Sequence, residues 1–241
     1  MSPPLFKGFS SAIAAENKRG LVAVIPDIKC ASPKEGDLLR GRNPVEVATF
    51  LVRCGAPLLS VVTERERFGG SPELLGAIVQ ATGVPVLRKD FIINEAQLLE
   101  TANLGAAAAL LICATTDEKT LHALYEKTLE LGMEPFVEVH TPQEMALARA
   151  WGARLVGINN RDILTLERDD GGPGRTAALA FGRPTGALLV SESGILSTED
   201  ARLAASCGAN ALLIGTALWQ APDMAATYNS LRVEREKPCA P

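Results

Sequence analysis

Lysine and carboxylate residues stand at the ends of otherwise apolar segments in this 241-residue chain. Asp27 and Lys29 close the first such segment, Lys89 closes the third, and Glu138 lies between two valines in the fifth. Because burying an unpaired charge costs several kcal/mol, these groups are expected to compensate one another at a common site. A lysine and a carboxylate held together in this way can act as general acid and general base.

Eight apolar runs, rich in valine, isoleucine and leucine, recur along the chain. They begin at Leu21, Pro57, Val84, Ala107, Glu134, Ala153, Gly186 and Asn210. Near-continuous runs of this kind are typical of strands that are buried on both faces of a parallel sheet. The segments between the runs carry helix patterns, so we predict a succession of βα units.

Helix start and stop signals support this prediction. Thr141 is a candidate N-cap, followed by Pro142 at the first helical position and by Glu144 three residues after the cap. Each predicted helix is followed by glycine, the preferred residue just past a helix end. The predicted helices are Pro44–Cys54, Asn94–Leu104, Thr116–Leu131, Thr141–Trp151 and Ser197–Cys207.

Eight βα units in one chain of this length favour a (β/α)8 TIM barrel over an open doubly wound sheet, since no GxGxxG follows the first run. We therefore expect a single barrel domain over residues 1–241. An extra N-terminal helix, Leu5–Arg19 within residues 1–20, is predicted to close the barrel bottom. Gly171–Gly174 is predicted to be a flexible insert, and residues 233–241 a disordered tail.

Composition narrows the functional class. The net charge of −4 and the pI of about 5.4 give no reason to expect binding to nucleic acid or to a membrane surface. No signal peptide or apolar run of transmembrane length is present, and the five cysteines show no CxxC spacing, so we expect a cytoplasmic protein with reduced thiols. His122 and His140 lie apart and suggest no metal site. We expect a monomer, with a weak homodimer as the alternative.

In a (β/α)8 barrel the active site lies at the carboxyl ends of the strands. Asp27 and Lys29 are two residues apart, so their side chains point to the same, inward side. Gly194 and Gly215 follow the seventh and eighth strands and let backbone N–H groups approach a ligand closely. Thr216–Trp219 is predicted to begin a short helix, so we expect a phosphate site at this place.

Taken singly, several of these residues also fit ordinary structural roles. Glu138 alone fits a hydrogen-bonded structural carboxylate, and either lysine alone fits a surface residue that extends its charge to solvent. Glu64 and His140 are interpreted only as structural or solvated. The functional interpretation depends on independent loops placing complementary chemistry on one rim.

Six segments resemble motifs of the indole-3-glycerol phosphate synthase family, in the same order and at similar spacing: DIKCASP, RKDFI, FVEVH, GINNRD, SESGI and LLIGTAL. The resemblance extends from about Leu21 to Ala221. It implies a lyase of tryptophan biosynthesis that acts on 1-(2-carboxyphenylamino)-1-deoxyribulose 5-phosphate. That reaction closes the indole ring with loss of CO2 and water, and the resemblance implies no metal or organic cofactor.

The resemblance also implies roles for individual residues. Lys89 matches the general acid of ring closure, Glu138 the general base of dehydration, and Lys29 a phosphate contact that is implicated in acid catalysis. Asn159 and Glu192 match polar residues that hold the substrate hydroxyls and the lysine network.

The remaining matched positions are implied to bind substrate. They are Phe68 and Phe91 as walls around the anthranilate ring, Ser32 and Arg161 near its carboxylate, Ser193, Gly194, Gly215 and Thr216 at the phosphate, and Leu110 and Leu213 as further contacts.

Two positions depart from the family pattern. Asp27 replaces a glutamate, which keeps the catalytic carboxylate but shortens it by one methylene, and Lys34 replaces a serine. These changes leave two alternatives open: a diverged relative that acts on another sugar-phosphate adduct, or a non-catalytic paralogue that binds a phosphorylated ligand. Retention of both Lys89 and Glu138 disfavours the second, because a binding module has little use for a matched acid and base.

Overall fold

The computed structural model describes residues 8–161 and 172–235. Eight parallel strands within them close into a barrel, each pairing with its neighbours in chain order until the last meets the first. They are β1 (Ala23–Ile28), β2 (Leu59–Val62), β3 (Val86–Lys89), β4 (Ala108–Ile112), β5 (Glu134–Val139), β6 (Leu155–Asn159), β7 (Leu188–Glu192) and β8 (Ala211–Ile214). The predicted (β/α)8 barrel is therefore confirmed.

The described helices surround this barrel. They are α1 (Phe9–Lys18), α2 (Pro44–Arg53), α3 (Pro72–Thr82), α4 (Glu95–Asn103), α5 (Glu118–Glu130), α6 (Pro142–Ala150), α7 (Gly174–Leu179), α8 (Thr198–Ser206), α9 (Thr216–Gln220) and α10 (Met224–Ser230). The five helices predicted between strands agree to within two residues at each end, and α9 confirms the predicted short helix. Among the described residues, no helix has the length and apolarity that crossing a bilayer requires.

The caps explain these boundaries. The Oγ1 of Thr141 accepts the backbone N–H of Glu144, as predicted. The Glu144 carboxylate, however, accepts the N–H of His140 rather than that of the cap residue. Ser197 and Asp200 form the complete reciprocal capping box at the start of α8.

Helix α1 closes the barrel bottom, as predicted. Phe9 and Ile13 are fully buried against apolar side chains of the barrel interior. The Ser10 N–H donates to the Glu134 carboxylate at 3.1 Å, and Asn17 donates to the Asn210 carbonyl at 2.8 Å. The helix begins at Phe9, and residues 5–7 of the predicted helix lie outside the described part of the chain.

Two boundary predictions need correction. Residues 233–235 are not disordered: Val233 is buried, Glu234 bridges to Leu21, and the Arg235 N–H donates to the Gly20 carbonyl at 2.8 Å. Residues 236–241 lie outside the described part.

The predicted insert lies only partly within the described residues. Gly171 falls outside, whereas Gly174 is the first residue of α7 and belongs to a helix rather than to a flexible loop.

The period of two along each strand determines where the barrel turns from apolar to polar. Ile25, Leu87 and Phe136 belong to one buried cluster in the interior. On each of these three strands the next inward position carries an ionisable residue, namely Asp27, Lys89 or Glu138. A polar layer therefore lies directly above the apolar one, at the carboxyl ends of the strands.

Candidate active site

The end of β1 contributes two residues to this polar layer. Asp27 and Lys29 are both buried and face the barrel mouth, as their spacing predicts. The Asp27 carboxylate accepts a hydrogen bond from the Ser60 hydroxyl at 2.7 Å. The backbone carbonyl of Asp27 accepts the Trp219 indole N–H at 2.9 Å. These two bonds hold the end of β1 against β2 and α9.

The two cations at the end of β3 point to opposite sides. Arg88 faces outward, where its guanidinium donates to Glu100 at 2.7 Å, to Thr101 at 3.0 Å and to Asp90 at 3.1 Å. Lys89 faces inward. The alternation of side chains along a strand thus gives the structural role to Arg88 and the site to Lys89.

Lys89 lies between two fully buried carboxylates. Its Nζ is 3.6 Å from Oε2 of Glu138 and 3.5 Å from Oε2 of Glu192. The other oxygen of Glu138, Oε1, accepts a hydrogen bond from Nδ2 of Asn159 at 3.3 Å. The orientation of that amide is set by its Oδ1, which accepts the Arg161 N–H at 3.1 Å.

Charge at the site is balanced. Three buried or nearly buried cations, Lys29, Lys89 and Arg161, face three buried carboxylates. Those carboxylates are Asp27, Glu138 and Glu192. Mutual compensation of this kind offsets the several kcal/mol that each buried ion costs in isolation.

The barrel mouth contains two recesses that share Asp27, Lys29 and Lys89. The first exposes more apolar than polar surface, and five of its ten lining residues have apolar side chains. Its further lining residues are Val62, Glu64, Phe68, Asp90, Phe91, Leu110 and Ile112. We call it the apolar recess.

The second recess lies at the ends of β6, β7 and β8. Its further lining residues are Arg161, Ser193, Gly194, Ile195, Leu196, Leu213, Ile214, Gly215, Thr216 and Ala217. We call it the polar recess. A Cβ at Gly215 would lie 3.0 Å from Cε of Lys29, so glycine at this position lets the lysine reach the recess.

A sequence profile described as indole-3-glycerol phosphate synthase matches residues 2–231. The chain belongs to the indole-3-glycerol phosphate synthase family. Three relatives that carry this name are similar to it. The protein of Thermococcus kodakarensis is 44% identical over 216 residues, which cover 90% of this chain and 93% of the relative. That of Carboxydothermus hydrogenoformans is 42% identical over 212 residues (88% and 80%), and that of Pyrococcus furiosus 42% over 218 residues (90% and 93%).

Most of the family positions expected to bind substrate line one recess or the other. Phe68, Phe91 and Leu110 line the apolar recess, and Ser193, Gly194, Leu213, Gly215 and Thr216 line the polar recess. Arg161, expected near the anthranilate carboxylate, lines the polar recess.

Ser32 lines neither recess. It is buried in a short hairpin of Ala31–Ser32 with Gly36–Asp37, where its Oγ accepts the Glu35 N–H at 3.0 Å. The family motif correctly places Ser32 in the loop after β1. The Ser32 hydroxyl is engaged within that loop by the Glu35 N–H.

Three polar residues near the site were given no functional role from the sequence, Glu64 and His140 being interpreted only as structural or solvated. Glu64 lines the apolar recess, and its carboxylate accepts the N–H groups of Arg67 and Phe68. Asn160 is buried beneath the polar recess, where its Nδ2 donates to the carbonyls of Glu192 and Ser193 at 3.0 Å. The third, His140, lies beside Glu138. Position on a strand end was the only signal that could have identified them.

Asn160 explains a strained backbone at the polar recess. Ser193 has φ of +63°, which costs a residue other than glycine about 1–2 kcal/mol. The hydrogen bond from Asn160 to its carbonyl, together with bonds from Thr176 to the Asn160 Oδ1 at 2.9–3.0 Å, holds this conformation. The family's SESGI loop is thus shaped from beneath by a buried network.

Gly157 is a position where the site tolerates no side chain. A Cβ there would overlap with the Glu192 carboxylate and the Phe136 ring. We expect Gly157→Ala to lower the free energy of unfolding by about 1–3 kcal/mol and to displace Glu192 from Lys89, so that kcat falls as well. Urea unfolding and steady-state kinetics measure both effects. Gly174→Ala is the control, because a Cβ at Gly174 meets nothing within 4 Å; equal effects of both substitutions would contradict the prediction.

Cys113 is expected to be unreactive in the folded protein. Burial, reinforced by the charges of Glu144 and Glu138, raises the pKa of its thiol to about 12. The thiol therefore stays protonated well above neutral pH, and only the thiolate is the nucleophile. Alkylation with iodoacetamide at pH 8, followed by peptide mass spectrometry, should leave Cys113 unmodified until guanidinium chloride is added. Labelling of Cys113 in the native protein would show that its thiol is accessible and reactive, and would contradict the prediction.

Proposed function

We propose that this protein is an indole-3-glycerol phosphate synthase that converts 1-(2-carboxyphenylamino)-1-deoxyribulose 5-phosphate into indole-3-glycerol phosphate, CO2 and water. The observation that carries the proposal is the division of the barrel mouth. An apolar and a polar recess meet at Asp27, Lys29 and Lys89. A substrate with an aromatic ring at one end, a phosphate at the other and a reacting carbonyl between them matches this arrangement.

The polar recess is suited to the phosphate. Lys29 and Arg161 supply two cations there, and Ser193, Gly194 and Gly215 bring the backbone close to a ligand. This placement leaves the apolar recess to the anthranilate ring. Phe68 and Phe91 provide aromatic walls for it, and Arg67 stacks over the outer side of Phe91, with its guanidinium carbon 5.6 Å from the ring centroid.

Lys89 is suited to act as general acid on the substrate carbonyl. It lies where the two recesses join, and its ammonium is held by Glu138 and Glu192 on the inner side. A carbonyl attacked by a weakly nucleophilic aromatic carbon needs a proton donor, since the oxygen gains negative charge as the ring closes. Apolar walls around the ring favour loss of the carboxylate, because they replace its hydration shell.

Glu138 is suited to act as the general base of dehydration. Its carboxylate is fully buried, and its Oε1 is engaged by Asn159. Its Oε2 accepts no hydrogen bond from the described residues and faces Lys89 at 3.6 Å. As this oxygen takes a proton from one carbon of the ring-closed intermediate, Lys29 at the junction of the recesses donates a proton to the hydroxyl on the neighbouring carbon, which leaves as water.

The decisive experiment is turnover. Purified protein mixed with the carboxyphenylamino deoxyribulose phosphate should generate the fluorescence of indoleglycerol phosphate, and inorganic phosphate should inhibit competitively. Folded protein that binds the product but does not convert the substrate would contradict the proposal and favour a non-catalytic paralogue.

The two departures from the family pattern are tested together. Lys34 is exposed in the hairpin turn and lines neither recess, which gives the diverged-substrate alternative little support. The Asp27 carboxylate accepts the Ser60 hydroxyl at 2.7 Å, and a side chain longer by one methylene would displace that hydrogen bond. We expect Asp27→Glu with Lys34→Ser to lower synthase activity. A strong increase would instead support divergence toward another adduct.

A further inference from the structure

We propose that His140 is a positioning residue for the reaction: it holds Oε1 of Glu138, so that Oε2 faces Lys89. Nε2 of the imidazole is 3.4 Å from Oε1 of Glu138. Nδ1, on the opposite side of the ring, is 3.6 Å from Oε2 of Glu144. The ring thus bridges a fully buried carboxylate and a second one nearer the surface.

The two oxygens of Glu138 have different surroundings. Oε1 faces two groups of the scaffold, the Asn159 amide at 3.3 Å and the His140 ring at 3.4 Å. Oε2 faces Lys89, which lines both recesses. Neither Asn159 nor His140 lines a recess. Glu138 itself is fully buried and lines neither recess. One of its oxygens is therefore held by the scaffold, and the other faces Lys89, through which it adjoins both recesses.

Glu144 determines how the ring lies. Its carboxylate accepts the backbone N–H of His140 at 2.5 Å while facing the ring of the same residue. Burial acts to raise the pKa of the Glu144 carboxyl, but the hydrogen bonds and charge of His140 outweigh it and hold that pKa below the usual range. The carboxylate is thus ionised at neutral pH, as an acceptor for the ring requires.

The ring itself has few other options. The His140 side chain is only 8% exposed, and among the described residues neither ring nitrogen has a hydrogen-bond partner. Its contacts with Glu138 and Glu144, at 3.4 and 3.6 Å, are therefore electrostatic. Both nitrogens face carboxylate oxygens, so an N–H directed at either carboxylate is favoured. A buried imidazole in this position keeps negative charge on Glu138 favourable and limits its rotation.

This inference rests on the proposed function, because orienting Glu138 matters only if that carboxylate acts on the substrate. A double-mutant cycle tests it with four proteins: wild type, His140→Leu, Glu138→Gln and the double variant. We expect His140→Leu to lower kcat on the order of ten- to a hundredfold, an effect comparable to that of a hydrogen bond to a charged group. KM should change by less than about threefold, because both recesses stay intact.

Two results separate positioning from mere structural support. In the Glu138→Gln background the His140→Leu substitution should cause no further loss of kcat, since its effect passes through the carboxylate. His140→Gln, whose amide N–H extends in the same direction, should restore most of the activity that leucine removes. Equal losses of kcat in both Glu138 backgrounds, or wild-type kcat in His140→Leu, would overturn the inference.

Two controls keep the test interpretable. Should His140→Leu fail to fold, Glu144→Gln replaces it, because the amide oxygen still accepts the His140 N–H while the charge that faces the ring is lost. We expect that variant to lower kcat in the wild-type background and not in Glu138→Gln; equal effects in both would overturn the inference. Absence of turnover by folded wild-type protein would contradict the proposed function itself, whereas wild-type turnover with an unchanged His140→Leu variant would contradict only the role of His140.

Discussion

Replacing Lys89 by alanine is expected to lower kcat for indoleglycerol phosphate formation by about 10²- to 10⁴-fold, the usual contribution of a positioned general acid. Lys89, like Lys29, lines both recesses. Its ammonium contacts the buried carboxylates of Glu138 and Glu192. Without its ammonium the carbonyl oxygen loses its assigned proton donor, and Lys29 is the cation that remains at the junction of the recesses. Because the walls of the recesses remain, KM should change far less than kcat.

The measurement is steady-state fluorescence of the product, with Lys119→Ala as the matched control. Lys119 is an exposed lysine of α5 on the outside of the barrel, so its loss should leave kcat unchanged. A partial return of activity on addition of a small alkylamine would identify proton donation as the missing function. A Lys89→Ala protein with near-native kcat would refute the assigned role.

Replacing Glu138 by glutamine is expected to lower kcat by about 10²- to 10⁴-fold as well, because an amide cannot accept the proton. The substitution preserves shape, and the amide oxygen can still accept the Asn159 hydrogen bond. It also removes one partner of a buried ion pair, so the free energy of unfolding is expected to fall, but by less than the roughly 3–5 kcal/mol lost when no other partner remains. Lys89 retains Glu192 as a partner.

Kinetics and urea unfolding on the same preparation separate these two expectations. Glu118→Gln, in the first turn of α5, is the matched control, since it removes an exposed carboxylate with the same change in atoms. If glutamine at position 138 abolished folding, the loss of kcat would say nothing about a base. A stable variant that turns over at the native rate would instead show that Glu138 is a structural carboxylate.

The two substitutions should not be additive. Lys89 and Glu138 contact each other, so removing either one changes the surroundings of the other. We expect the double variant to be about as slow as the slower single variant, as is found for groups that act as a unit. Additive losses would contradict this coupling and would indicate that the two groups act independently of each other.

The sequence by itself determined the barrel and the side of each strand on which its residues lie. The eight apolar runs and the capping residues are local features, and they located the strands and most helices to within two residues. The period of two along β1 was enough to place Asp27 and Lys29 on the inward side. Three helices, α3, α7 and α10, were not predicted individually.

Only the tertiary structure decided which side chains meet across the barrel mouth. Lys89, Glu138 and Glu192 come from three different strands, and no local pattern encodes the 3.5–3.6 Å separations between them. Closure of the barrel sets those distances, because pairing and register fix the height of each strand end.

His140 follows Glu138 by two residues at the same strand end, so the period of two, not barrel closure, places it beside Glu138. Local hydrogen bonding turns Ser32 into its hairpin. Family motifs in the sequence thus indicated Lys89 and Glu138 as the candidate acid and base, whereas long-range packing brought Asn159 and Lys89 against Glu138.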